Sequence, residues 1–245
     1  MVQKGAPMLS DDKSGLHIQV YNYVLDQIFQ QKLSYGQKIS EEEIAQNLNV
    51  SRTPIREALR KLESDGLVEI LPKRFAQIVT LTEDDMRQLG TVKLQLDFLA
   101  AQLAVHHGSN SDFAALERTN ESMADALARD DHYQLLRQDA EFHQAYIRIS
   151  GNALLVRFHH QLQTRISLFQ SISLREKPDM MSHSLEDHQA IIDALYSRDV
   201  NNLLHVIVPH IVRFYNIDAS VYSLMLADFS NGRNPIPSST TQLTH

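Results

Sequence analysis

Cysteine is absent from this chain of 245 residues. That excludes disulfides and thiolate metal sites and makes a cytoplasmic location the default. No apolar run approaches the ~20 residues of a membrane-spanning helix. Met1-Val2-Gln3-Lys4-Gly5-Ala6-Pro7 lacks the apolar core of a signal peptide. No membrane partner is therefore expected. Positive charge is also scarce: the formal net charge is −7, which at first sight argues against nucleic acid as a partner. The deficit is uneven, however. Between Lys13 and Thr80 bases and acids nearly cancel, and the arginines cluster there. Binding nucleic acid needs a locally basic surface, not a basic whole. Internal repeats are missing too, and no strand pattern follows residue 81.

What is there begins with Ser40 to Arg60, which reads as two short helices around a tight turn. Ser40 followed by Glu43 is a capping box. Ile44, Ala45 and Leu48 make one helix apolar on one side, and Val50 sits in the turn. Ser51 or Thr53 can cap the second helix, where Pro54 is tolerated in the first turn. Ile55, Ala58, Leu59 and Leu62 recur at helical spacing and face inward. Arg52, Arg56 and Arg60 recur every four residues on another stripe. An apolar back and a row of guanidinium forks is the layout of a recognition helix in a DNA groove. Upstream, Tyr21, Val24, Leu25 and Ile28 mark another helix. Downstream, residues 67–71 and 77–81 read as strands joined by Pro72-Lys73-Arg74-Phe75-Ala76, a hairpin with Lys73 and Arg74 placed for phosphate.

Val50-Ser51-Arg52-Thr53-Pro54-Ile55-Arg56-Glu57-Ala58-Leu59 resembles the signature of the GntR family of winged helix-turn-helix repressors, and Leu62-Glu63-Ser64-Asp65-Gly66-Leu67-Val68 fits the same pattern. The resemblance implies double-stranded operator DNA as partner, with Arg52, Thr53, Arg56, Arg60, Lys73 and Arg74 as contacts. Relatives usually have glycine where Phe75 stands. A phenylalanine should keep the wing tip from approaching the minor groove closely.

Thr82 with Asp85 caps the helix that opens a second domain. Leu89, Val92, Leu96, Leu99 and Leu103 form a seam along it, and Gly108 ends it. Phe113, Leu116, Met123 and Leu127 mark a second helix and Tyr133–Ile149 a third. A fourth runs from Ala153 towards Pro178, a fifth spans Met180–Tyr196, and a sixth starts after Asp199 and reaches about Asp228. Six amphipathic helices with short turns predict an antiparallel bundle. The fold class is thus mainly α, a winged helix-turn-helix followed by a six-helix bundle. The expected organisation is a mobile arm (1–14), a DNA-binding domain (15–81), an effector-binding and dimerisation domain (82–228) and a disordered Ser/Thr/Pro-rich tail (229–245).

The bundle also carries chemistry. Asp139 and His143, four apart, leave one helical face; His188 lies between Leu185 and Ile192; His210 shares a face with Ile207, Ile211 and Phe214. Three imidazoles and a carboxylate can hold a divalent ion and leave positions open. In a chain with 12 histidines, spacing alone favours the plainer role of hydrogen-bonded core residues. His106, His107, His159, His160 and His183 read as solvated. Arg165 falls within the seam Leu155, Phe158, Leu162, Phe169 and Ile172, so it needs an anionic partner. That partner is either an internal carboxylate or an acidic effector, and we assign Arg165 to effector binding.

Asp139-Ala140-Glu141-Phe142-His143 with Gly151-Asn152, Glu186-Asp187-His188-Gln189-Ala190-Ile191-Ile192-Asp193-Ala194-Leu195, and Asp199 to His210 resemble the three signatures of the FCD effector domain, here in its shorter, VanR-like form within the FadR branch. The resemblance implies that Asp139, His143, His188 and His210 bind a metal. Zinc ranks first, with manganese, iron and nickel as alternatives. Four residues depart from the pattern. Pro209 precedes His210 inside a helix and deletes a backbone hydrogen bond. Lys93 and Asp97 stand where many relatives have arginine and glutamate. Leu203 replaces a small residue. The expected function is a metal-containing, ligand-responsive repressor that binds an inverted-repeat operator as a homodimer and answers to a small carboxylate metabolite. The alternatives are a regulator whose effector is the metal itself, and a metal-dependent hydrolase. Against the enzyme stand the lack of a general base beyond the ligands and a DNA-binding module it would leave unexplained.

Overall fold

The computed structural model describes residues 15–30, 32–71, 75–176, 181 and 183–223, without the side chains of 175 and 176. The expected arm, the tail, Lys73, Arg74 and Pro178 lie outside the described residues. The chain divides into two compact units, Met1–Thr80 and Leu81–His245. Among the described residues no helix is long and apolar enough to cross a membrane.

The first unit runs α1 (Leu16–Phe29), β1 (Lys38–Ile39), α2 (Glu41–Leu48), α3 (Arg52–Ser64), β2 (Val68–Ile70) and β3 (Ala76–Ile78). Its core joins Val20, Val24 and Ile28 of α1 to Ile55, Ala58, Leu59 and Leu62 of α3. Each fully buried large aliphatic contributes roughly 1.5–3 kcal/mol. The Ser40 Oγ accepts the Glu43 N–H at 3.1 Å and so starts α2. Asn49, in the left-handed region at φ 51°, ends it. Ser51 occupies the N-cap of α3 without a side-chain bond. The sheet order is β1-β3-β2, antiparallel throughout. At two residues, β1 is too short to show an alternating pattern in sequence. The Leu71 N–H donates to the Phe75 carbonyl at 3.0 Å and closes the β2–β3 hairpin.

The second unit contains α4 (Glu83–His107), α5 (Asn110–Ala128), α6 (His132–Ile149), α7 (Ala153–Glu176), α8 (Ser184–Tyr196) and α9 (Val200–Tyr215), then a helical segment at 219–223. Reciprocal capping boxes start α4 (Thr82 with Asp85) and α5 (Ser109 with Asp112). The Asp199 Oδ1 accepts from the N–H groups of Asn201 and Asn202 to start α9. The fifth helix of the bundle is described from Ser184, and Met180, where it was expected to begin, lies outside the described residues. The sixth stops at Tyr215 and not near Asp228, because Asn216 turns left-handed at φ 49° and folds Ile217 into the core. Pro209 is exposed and α9 runs through it unbroken.

The apolar seams on α4 and α7 are core faces only in part: Leu89, Leu155 and Ile172 are buried and Leu96, Leu103, Leu162 and Phe169 pack against the core, but other members do not. On α4, Val92 and Leu99 are half-exposed, while Met86, Gly90, Lys93, Leu94, Asp97, Ala100, Ala101 and Ala104 are buried. On α7, Phe158 is exposed, and His159, Gln163, Ser167, Gln170 and Ser171 point inward. Small residues on α4 let its neighbours close in. At Gly90 an added Cβ would lie 2.3 Å from the Tyr215 Cβ, so α4 and α9 meet backbone to ring.

Candidate functional site

In the first unit α3 sets the geometry. Its buried face fixes the helix, and Arg52, Thr53, Arg56 and Arg60 are left together on the exposed side. The Arg56 Nε lies 3.4 Å from the Glu41 Oε2, an exposed pair that holds the guanidinium only lightly. Phe75 takes the Lys38 ammonium over its ring, 4.1 Å from the centroid. A lysine on β1 is thereby drawn to the base of the hairpin.

In the second unit α6, α8 and α9 each aim an imidazole at one point. One nitrogen from each of His143, His188 and His210 falls within 4.8 Å of the others. The His143 and His210 Nε2 atoms are 3.4 Å apart. The Asp139 Oδ1 lies 3.6 Å from the His188 Nε2 and 4.0 Å from the His143 Nε2. All four residues named from the sequence are therefore brought together, and Pro209 has not turned His210 away. Two donors held at ~2.1 Å by one tetrahedral ion sit about 3.4 Å apart, so the spacing fits a metal.

Local contacts explain the aim of each donor. The Gln170 Nε2 donates to the Asp139 Oδ2 at 3.0 Å, which leaves Oδ1 for the centre. His210 faces the Asp187 Oδ2 through Nδ1 at 3.0 Å. Donation there fixes the tautomer and leaves the Nε2 lone pair pointing inward, as a ligand histidine requires. Phe142 stacks on His188, with centroids 3.8 Å apart and planes 6° from parallel. Both nitrogens of the buried His188, and the Nδ1 of His143, have no hydrogen-bond partner. Buried polar atoms without partners are costly; for His188, a cation would satisfy one of them.

The electrostatics agree. Burial holds His143 and His188 well below the usual histidine range, and the Lys93 charge adds to the effect. Both rings are neutral and keep a lone pair. Burial pushes the Asp139 carboxyl up, against the Gln170 hydrogen bond. For Asp187, burial is outweighed by the His210 hydrogen bond and by Arg213, which hold its carboxyl down. Beside the donors lies a cavity of about 20 Å³, walled partly by Lys93, Gln170 and Tyr215. A wider space of about 380 Å³ adjoins it through Ser184, His210 and Phe214. The inner volume holds about one water; the outer one is in the range of small-molecule pockets.

Arg165, expected to bind an effector, is not among the residues that line these two cavities. It is half-buried, and its charge falls on Asp85 in the first turn of α4. The seam containing it is mixed: Leu155 and Ile172 are buried, Leu162 and Phe169 pack against the core, and Phe158 is exposed. His159, expected in solvent, is 1% exposed and sits with Lys93 and Asp97, each 2% exposed. Sequence reasoning had noted Lys93 and Asp97 only as departures, and had passed over Gln170 and Asp187. The signal that would have found them is the helical spacing of the polar residues His159, Gln163, Ser167 and Gln170.

Comparison with known proteins follows these divisions. Residues 16–76 match the profile of bacterial regulatory proteins, gntR family, and residues 88–213 match that of the FCD domain. An uncharacterized HTH-type transcriptional regulator of Bacillus subtilis, YdhC, is 29% identical over 143 residues, covering 58% of this chain and 64% of its own length. A probable D-xylose utilization operon transcriptional repressor of Paenarthrobacter nicotinovorans is 26% identical over 196 residues, covering 80% and 85%. The solved structure of E. coli McbR/YncC superposes with a TM-score of 0.72 at 23% identity, covering 89% of this chain and 100% of that one.

Proposed function

We propose, from the premise that this chain belongs to the GntR family of bacterial regulatory proteins and carries an FCD domain, that it is a metal-containing repressor released from its operator by a small carboxylate. That it is a DNA-binding transcriptional regulator, and not an enzyme, follows from the family and from its named relatives. The repressing sign takes support from the P. nicotinovorans protein, itself named a repressor. The cytoplasm is the compartment this function requires.

One observation carries the metal: three imidazoles and a carboxylate from three helices converge where buried His188 has no other partner. Asp139, His143, His188 and His210 would hold the ion, zinc first, with manganese, iron or nickel as alternatives. When bound, the ion supplies a Lewis-acid centre to which an oxygen ligand can attach. The residues around it orient the donors, keep bulk water out and leave the Ser184–Phe214 side facing the larger space.

The test begins with duplexes selected by the protein from a random pool. Inverted repeats with half-sites about one helical turn apart are expected. Organic acids are then titrated against that complex with metal-loaded and metal-stripped protein. Release confined to the loaded form supports the reading. Release from both forms removes the metal from it, and release by metal alone makes the ion the effector.

A two-fold operator needs a two-fold protein. Gly151, just before α7, lies beside His107 at the end of α4, His159 beside Lys93, and Arg165 acts on Asp85. The helices are thus antiparallel, and exposed Val92, Leu99, Leu154 and Phe158 lie along the pair. This face is proposed as the dimer interface. Light scattering should give twice 27.9 kDa for the wild type, and the mass of one chain for Leu99→Glu with Phe158→Glu. A wild type that runs as a single chain at micromolar concentration would sink the dimer.

A further inference from the structure

We propose that the cleft between α5 and α8 is a second ligand site, and that it takes a small aliphatic diamine. The cleft holds about 320 Å³ and is lined by Glu117, Asn120, Glu121 and Ala124 of α5 and by Leu185 and Gln189 of α8. None of these six lines either cavity at the histidine centre. The volume lies in the range of small-molecule pockets and far exceeds the room a bare ion needs.

The polar atoms of the wall are of one kind. The Asn120 Nδ2 donates to the Leu185 carbonyl at 3.2 Å, which sets the orientation of the amide. The Oδ1 that remains is buried and has no hydrogen-bond partner, on a residue only 8% exposed. A buried oxygen without a donor is costly, so this one points to a donor brought by a ligand. The Gln189 Nε2 donates to the Asp193 Oδ1 at 2.9 Å, so Gln189 also has its oxygen to offer. The Glu117 Oε2 accepts the Tyr196 hydroxyl at 3.3 Å, and Glu121 is exposed. No lining residue is a cation, and the amide donors are engaged elsewhere. A wall of oxygen acceptors repels a carboxylate and favours N–H donors that carry positive charge.

Spacing narrows the class. Glu117 and Glu121 stand four apart on one helix, so their Cβ atoms are about 6 Å apart and their like charges repel. Two ammonium groups joined by about four methylenes match that separation and remove the repulsion. Ala124 and Leu185 give the methylenes an apolar wall. A divalent metal would balance the same charge but leave that wall, and most of the volume, unused.

The experiment uses the full-length protein at low salt, with butane-1,4-diamine, butylamine, butane-1,4-diol and calcium as probes, read by titration calorimetry. The diamine should bind once per chain, butylamine more weakly, and the diol not at all. Glu117→Gln with Glu121→Gln should weaken the diamine about tenfold or more, the scale of two charge-assisted contacts partly open to solvent. Glu83→Gln with Asp130→Asn removes the same charge at exposed positions outside the cleft and should bind as wild type. Asn120→Leu should weaken the diamine as well; because it also strands the Leu185 carbonyl, the glutamate pair decides if this variant fails to fold. Metal content by elemental analysis should be the same in the wild type and the glutamate variants, which keeps the outcome separate from that of the histidine centre. No heat from the diamine, a diol that binds as well, or a control weakened as much as the glutamate pair overturns the site. Calcium that displaces the diamine at equal concentration overturns the ligand class.

Discussion

Protein purified without chelator should carry about one divalent ion per chain, and His188→Ala should carry far less. His188 is fully buried between Phe142 and the Asp139 Oδ1, so no solvent-side substitute can take its place. An ion present at a thousandfold excess over its dissociation constant stabilises by about 4 kcal/mol. For a unit of this size that corresponds to a fall in Tm of roughly 8–16 °C when the ion is removed. His188→Ala also loses its stack on Phe142 and leaves a cavity, so a lower Tm by itself decides nothing. The decisive comparison is the chelator-induced fall, which should be large in the wild type and nearly absent in the variant. Equal metal content in the two proteins would reject the site.

The second large effect belongs to α3. Arg56→Ala should weaken operator binding by roughly 1–3 kcal/mol, about 5- to 150-fold, if Arg56 reads a guanine. Folding stability should stay within about 0.5 kcal/mol, because the side chain is exposed and its one ion pair, with Glu41, is long. If Arg56 instead meets phosphate, the loss should be uniform across sequences and the salt slope should fall by about one. Unchanged affinity and unchanged sequence preference would place the recognition surface elsewhere. Glu42, on the neighbouring helix, carries no expected contact.

Much of this was legible in the residues, for reasons that can be named. Helix starts were readable at Ser40, Thr82 and Asp199, where a side chain caps them, though the caps at Ser109 and Asp131 were passed over. Asp139, His143, His188 and His210 could be found because family motifs mark them; their spacing alone suggested no more than core histidines. Apolar periodicity misled on α4 and α7. Their stripes leave Val92, Leu99 and Phe158 outward, and the inward faces also carry Gly90, Ala100, Ala101 and Ala104 or polar residues such as Gln163 and Ser167. A hydrophobic count cannot see a face built from small and polar groups. For the same reason His159 was given to solvent. The end of α9 was missed because an asparagine in the left-handed region looks like any polar residue in a helical pattern.

The contact at Gly90 bears on how a signal would travel. The Tyr215 ring stands where a side chain on α4 would begin. Helices this close have no play: neither can slide along the other unless the ring leaves its seat or the backbone gives way. His210 lies five residues before Tyr215 on α9, and Gly90 lies in the second turn of α4, which starts three residues after Thr80. A shift at His210 is thus not absorbed as a rotamer change nearby. It reaches α4 as a stiff displacement, in the manner of a shaft keyed to its bearing, and glycine is what allows the key to fit.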